Sequence, residues 1–217
     1  MAKDVRVYYP ASIRAALEGL TTLPGLGPRS AERMVQHLLS MDTELVIRLA
    51  DSLRGLVSRV RPCAVCGFYA EIEEAEAVEA KCVFCADARR DSALVCVVEQ
   101  PQDVVRIEST GAFAGLFHVL GGRISPLDGV GPEDLRIAPL LARIRAGGIG
   151  ELIFALGGDL EGETTAHYLV DCVSRLGLEH TPKLTRIAQG VPVGSGLEFA
   201  DAASIQRALG SRTLFED

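Results

Sequence analysis

Cys63-Ala64-Val65-Cys66 and Cys82-Val83-Phe84-Cys85, separated by residues 67–81, set the organisation of this 217-residue chain. Each Cys-x-x-Cys can fold as a knuckle whose two thiolates face one point. Two knuckles complete a tetrahedral sulfur shell suited to one structural Zn²⁺ per chain. Gly67, directly after the first pair, permits the left-handed turn that such a knuckle uses. Two disulfides or four buried thiols are the alternatives. A closed four-sulfur shell leaves no open coordination position, so the zinc is expected to build structure rather than hydrolyse a substrate. The segment between the pairs carries Glu71, Glu73, Glu74, Glu76 and Glu79 and no basic residue before Lys81, which predicts a solvated excursion and argues against a DNA-contacting face there.

Upstream of the cysteines the pattern is helical. Ile13, Ala16, Leu17 and Leu20 recur at helical spacing, with Ser12 as a candidate N-cap. Leu23-Pro-Gly-Leu-Gly-Pro-Arg-Ser-Ala31 then reads as a tight turn opening a second helix with Pro28 in its first turn and Met34, Val35, Leu38 and Leu39 facing inward. The result is a helix-hairpin-helix. Gly25 and Gly27 let backbone N–H groups at a helix N-terminus approach a phosphate, and Arg29 and Arg33, one helical turn apart, add positive charge. The alternative is a plain helix connection with solvated arginines. Asp42 is expected to cap a third helix with Leu45, Val46, Leu49, Leu53, Leu56 and Val60 on one side.

Downstream the pattern becomes α/β. Ala93 to Glu99, Leu116 to Leu120, Glu151 to Leu156 and Leu184 to Ala188 read as strands separated by helical stretches, which predicts a parallel sheet flanked by helices. One of those helices is expected to open at Gly129-Val-Gly-Pro132 and run through Ile144. A parallel sheet takes its ligands at the strand carboxyl ends. Glu99, Asp159, Glu161 and Glu163 all fall at that edge, and such acids are a candidate Mg²⁺ site. A polar loop with solvated acids is the other reading. No phosphate-binding Gly-x4-Gly-Lys-[Ser/Thr] loop exists, and His37, His118, His167 and His180 are scattered.

The formal net charge of −7 argues against whole-surface attraction to nucleic acid, but residues 1–62 hold nine Lys or Arg against six Asp or Glu. Any DNA contact is therefore expected in the amino-terminal module. No membrane-length apolar run and no signal-peptide core occur, so a cytosolic location is expected. Cys96 and Cys172 read as ordinary buried thiols.

The order helix-hairpin-helix, Cys₄ zinc finger, sheet with Cys96-Val-Val-Glu99 and a later acidic loop resembles the RecR family of bacterial recombination mediators across nearly the whole chain. The resemblance is carried by Leu23 to Ala31, the four cysteines, Leu120-Gly-Gly, Ser125-Pro-Leu-Asp-Gly-Val-Gly-Pro132, Glu161-Gly-Glu163 and Thr185-Arg-Ile-Ala-Gln-Gly-Val-Pro-Val-Gly194. It implies a helix-hairpin-helix module over 1–62, a zinc finger over 63–85, a Toprim domain over 93–189 and a carboxyl-terminal segment over 190–217. The Toprim fold is shared with topoisomerases and primases, but here it implies no catalytic activity. It also implies a clamp-like homotetramer, found in the bacterial cytoplasm with the nucleoid. Such a clamp binds single- and double-stranded DNA without sequence preference and works with RecO and RecF to load recombinase on SSB-coated single strands. Arg29 and Arg33 match the family's DNA-facing positions, and Glu99, Glu161 and Glu163 its acidic Toprim positions, discussed there for contact with RecO.

Two departures stand out. Leu156-Gly-Gly-Asp-Leu-Glu-Gly-Glu163 replaces the common Thr-Asn-Pro-Thr-Val-Glu-Gly-Glu, so Asp159 makes the loop more like the Asp-x-Asp of active Toprim enzymes. Gly196 stands where the family is often acidic, which weakens a Walker B-like reading of the segment to Asp201. The rival reading is a small Mg²⁺-dependent Toprim nuclease using Glu99, Asp159 and Glu161. It needs a basic groove beside those acids, where the sequence offers only scattered Arg106, Arg123 and Lys183.

Overall fold

The computed structural model describes residues 8–72, 80–191, 194 and 196–212. The glutamates at 73, 74, 76 and 79 lie outside the described residues. The chain forms two compact units, Met1–Ser58 and Arg59–Asp217.

In the first unit, α1 (Ala11–Thr21) and α2 (Pro28–Ser40) form the expected hairpin, with Pro28 at the head of α2. Leu17, Ala31 and Val35 are its buried centre, and Tyr9, Ile13 and Leu20 pack around them. Three expectations need correction. The N-cap of α1 is Pro10, without a side-chain bond, so Ser12 already lies inside the helix. Met34 and Leu39 face solvent rather than the core, because the short α1 covers only the Ala31 and Val35 stripe of α2. α3 (Thr43–Arg59) is capped as expected, the Asp42 carboxylate accepting from Glu44 N–H at 2.8 Å, but it stops before Val60, which begins a strand instead, and none of its residues is buried. Leu45, Leu49, Leu53 and Leu56 are each 45–59% exposed, an apolar face on the first unit.

The second unit begins with β1 (Val60–Pro62), antiparallel to β2 (Tyr69–Glu71), and α4 (Val83–Ala86) around the cysteines. There follow β3 (Asp91–Val98), α5 (Pro101–Glu108), β4 (Gly115–Val119), α6 (Ile137–Arg145), β5 (Glu151–Ala155), α7 (Leu160–Ser174), β6 (Lys183–Arg186) and α8 (Ala202–Gly210). The sheet is parallel throughout, in the order β4-β3-β5-β6, with Val97 paired to Phe154 on one side and His118 on the other. Gly129 to Pro132 does not open α6. A 3-10 turn at Pro132–Asp134 ends at Leu135, whose extended backbone (φ −100°, ψ 154°) breaks the helical path, and α6 starts afresh at Ile137.

β3 explains the uninterrupted apolar run, since it is buried on both faces. Val95 and Val97 join Leu152 and Phe154 beneath α6 and α7, where Leu140, Ile144, Leu169 and Val173 pack. Cys96 and Val98 face the other way, with Phe117, Val119 and Val104 of α5. Phe68 and Phe84 of the cysteine module pack on this second core, with Phe84 5.5 Å from Phe117 between ring centroids. Truncating Phe117 to Ala is worth about 3–5 kcal/mol.

Candidate functional site

The four cysteine sulfurs lie within 4.8 Å of one another, and Cys63, Cys66 and Cys82 are buried. Among the described residues this is the one group of three or more His, Cys, Asp or Glu side chains so gathered. All six cysteines are free thiols, so the two-disulfide alternative falls. The donor set fits a metal ion such as zinc. Gly67 takes φ +80°, Phe68 N–H faces Cys66 Sγ at 3.5 Å and Cys82 N–H faces Cys63 Sγ at 3.3 Å, the amide-to-sulfur contacts that disperse thiolate charge. Without a cation the sulfurs cannot all ionise. Hydrogen bonding to Cys82 and then Cys85, with burial, pushes the Cys66 thiol up, while hydrogen bonding from Cys66 and then Cys85 pushes Cys82 down. Cys63, Cys66, Cys82 and Cys85 would hold a divalent metal as four thiolates in place of that shared proton set.

Two arginines lie close to the cysteine module, and one of them feels its sulfurs. Burial lowers the pKa of Arg143, and the four cysteine sulfurs oppose that shift; its Nη1 donates to Phe117 O at 2.8 Å. The Arg136 side chain crowds Gly67, where an added Cβ would lie 2.6 Å from Nε. The Arg136 carbonyl accepts from Nε2 of His118, a side chain of zero exposure, at 2.8 Å.

At the carboxyl edge of the sheet, Glu99 follows β3 and Asp159 follows β5 as the N-cap of α7, accepting from Gly162 N–H at 3.0 Å. Gly162 must be glycine: a Cβ there would lie 2.1 Å from Gly157 O. The Glu161-Gly-Glu163 spacing is thus set by close packing of the helix on its loop, with Glu161 and Glu163 on its first turn. The acids are already partnered. Arg123 reaches Asp159 Oδ2 at 2.5 Å and, through Nε, Glu161 Oε2 at 2.8 Å. Ser125 Oγ donates to Glu161 Oε1 at 2.6 Å, Gly157 N–H to Glu99 Oε1 at 2.5 Å, and Arg186 Nη1 pairs with Glu163 at 3.2 Å. The Gly162 amide, ahead of Arg123, holds Asp159 below the usual carboxylate range.

Of the basic residues the sequence offered near these acids, the structure brings only Arg123 to them. Lys183 pairs with Glu151 at 3.8 Å at the opposite, amino-terminal ends of β5 and β6, and Arg106 lies exposed on α5. Sequence reading missed Ser125 and Arg186 as partners of the acids. The signal was present in the Ser125-Pro-Leu-Asp segment and at the end of the fourth strand, but only the parallel order of β3, β5 and β6 places these beside α7.

In the hairpin, Gly25 takes φ +80°, which a side chain resists, whereas Gly27 has φ −82° and open space where a Cβ would lie. Arg29 and Arg33 are exposed, and neither has an ion-pair partner among the described residues. Arg33 lines an open groove of about 730 Å³ together with Ser30 and His37, two donors that sequence reading did not select.

The match to known proteins follows the same division. A Toprim domain model matches residues 93–188, a model described as RecR, helix-hairpin-helix matches 13–57, and one described as RecR, C-terminal matches 190–213. The chain is 48% identical to the recombination protein RecR of Acidothermus cellulolyticus over 204 residues, covering 94% of this chain and 97% of that one. It is 46% identical to that of Streptomyces coelicolor over 208 residues, 96% and 99% of the two chains. Against that of Geobacter sulfurreducens it is 45% identical over 207 residues, 95% and 98%.

Proposed function

The chain belongs to the RecR family of recombination proteins, and on that premise we propose that it is a non-enzymatic, DNA-binding mediator of recombinational repair. The observation that carries this reading is the exposed pair Arg29 and Arg33 at the start of α2, without an ion-pair partner among the described residues and beside backbone amides that Gly25 and Gly27 leave open. Two guanidinium groups and a helix N-terminus bind phosphate rather than bases, so the contact is sequence-independent and takes single- and double-stranded DNA alike.

In this reading one zinc per chain is held by Cys63, Cys66, Cys82 and Cys85 and is structural. The domain division at 1–62, 63–85, 93–189 and 190–217 is part of the proposal. The protein works in the cytoplasm at the nucleoid with RecO and RecF, loading recombinase onto SSB-coated single strands as a clamp-like homotetramer. The uncovered leucine face of α3 supports self-association. No helix among the described residues is long and apolar enough to cross a membrane.

Glu99, Asp159, Glu161 and Glu163 serve as a partner-binding edge for RecO rather than as a catalytic Mg²⁺ site. Arg123 supports this, since its guanidinium bridges the two carboxylates a metal would need to join. Leu127 and Leu160, 97% and 82% exposed beside those acids, add apolar surface suited to a protein partner. The nuclease alternative gains no supporting observation.

The test is DNA binding by the Arg29→Ala, Arg33→Ala double variant. It should retain its oligomeric state and bind more weakly in moderate salt, with the slope of log affinity against log salt reduced by roughly 0.7–0.9 for each phosphate no longer neutralised. Unchanged affinity and slope would overturn the reading.

A further inference from the structure

The loop that carries Asp159 has a second side, which the acids do not occupy. A Cβ on Gly158 would lie 2.6 Å from Arg207 Nη1 and 3.3 Å from Gln189 Nε2, so this backbone is in close contact with both side chains. β6 ends at Arg186, and α8 brings Arg207 to the same place. Between them opens a cavity of about 470 Å³ lined by Arg186, Gln189 and Arg207 with the small or apolar Ile187, Ala188 and Gly210. In a chain of net charge −7, no carboxylate among the described residues lines it.

Charge and position then point to a ligand class. Arg207 has no ion-pair partner among the described residues, and that of Arg186 is the 3.2 Å contact with Glu163. Two guanidinium groups lining one cavity repel each other unless an anion lies between them. Their planar forks match the oxygens of phosphate, and the carboxyl ends of parallel strands are where such ligands enter. The volume exceeds that of one phosphate ion and falls in the range of small-molecule sites.

We propose that Arg186 and Arg207, with the Gln189 amide as a neutral donor, bind a phosphate group at this edge of the sheet. The phosphate belongs either to a free nucleotide or to a DNA backbone. The site is separate from the hairpin, so the proposal does not depend on how Arg29 and Arg33 act.

The experiment titrates the full-length, zinc-loaded protein with inorganic pyrophosphate, ATP and a single-stranded oligonucleotide. Binding of pyrophosphate should be saturable, fall roughly tenfold or more in Arg207→Gln, and be partly restored in Arg207→Lys. Arg186→Gln, at an exposed strand end, should reproduce the loss if Arg207→Gln proves poorly folded. Arg29→Ala with Arg33→Ala removes any phosphate held by the hairpin, and the loss caused by Arg207→Gln should be the same in that background. If Arg207→Gln then lowers ATP affinity and not DNA affinity, the phosphate is that of a nucleotide; if it lowers DNA affinity further in the hairpin double variant, the phosphate is that of the backbone. No saturable binding of any probe, or binding by well-folded Arg207→Gln and Arg186→Gln equal to that of the unaltered chain, overturns the proposal.

Discussion

The carbonyl oxygen of Cys66 accepts a 2.7 Å hydrogen bond from the backbone N–H of Val119. β4 is an edge strand, and this bond turns part of its free edge toward the first knuckle instead of toward solvent or another chain. Metal binding at the knuckles would therefore reach the sheet. Chelating the zinc should speed hydrogen exchange of the Val119 amide by an order of magnitude or more while leaving Val97, in the central strand, nearly as protected. Cys63→Ser should lower the melting temperature and the soluble yield, because apparent zinc binding in such sites is worth about 10–16 kcal/mol of folding free energy. A chain purified without zinc that melts normally would contradict this.

Arg123 yields a prediction with two readouts. Arg123→Gln leaves Asp159 and Glu161 without the cation they now share, and so should raise Mn²⁺ affinity, read by electron paramagnetic resonance, roughly tenfold or more. No DNA cleavage should accompany it. Replacing Glu161 and Glu163 with Gln should weaken RecO association and spare direct DNA binding. Metal-dependent cleavage by the unaltered chain that disappears in Asp159→Asn would instead establish a nuclease.

His118 gives a pH dependence. Burial holds its pKa down to about 4, and Nε2–H donates to the Arg136 carbonyl while Nδ1 has no partner among the described residues. The unfolded imidazole titrates near 6.5, so between these values the unfolded chain binds more protons and stability rises with pH. The contribution is complete above pH 6.5 or so and is lost as pH falls toward 4, amounting to about 2 kcal/mol between pH 7.5 and 5. His118→Leu should be less stable at pH 7.5, but its stability should fall by about 2 kcal/mol less on the same acidification, with the cysteines contributing equally to both proteins. Equal acid losses would show that His118 does not titrate as its burial requires.

Particular residues show where the sequence was legible. The two Cys-x-x-Cys pairs and the strand Ala93 to Glu99 could be read directly, because metal spacing and two-sided burial each leave a local pattern. The parallel sheet and the position of the acids followed from strand-helix alternation. Arg123 and Arg186 could not be assigned as counter-ions, since they lie 36 and 23 residues from Asp159 and Glu163, and only strand order joins them. What covers the apolar side of α3 was illegible for a different reason. Its leucines have the right period, but periodicity reports that a face is apolar and not what covers it.

That face leads to the last prediction. Leu45, Leu49, Leu53 and Leu56 lie along one side of α3 at helical spacing, exposed by roughly half. An apolar stripe of this length is costly in water and cheap against a second copy of itself. Each hairpin alone offers Arg29, Arg33 and a few amides, a weak contact in a chain of net charge −7. Joining several copies on one strand multiplies that contact through effective concentration by about 10²-fold or more, provided that they engage together. Leu49→Asp with Leu53→Asp should therefore reduce the oligomer, measured by light scattering, and lower DNA affinity by a similar factor with both arginines intact. Because surface charges on a helix already solvated do not disturb the hairpin core of Leu17, Ala31 and Val35, helical content should be unchanged. Full DNA affinity in a proven monomer would separate binding from assembly and leave the uncovered leucines without a role in it.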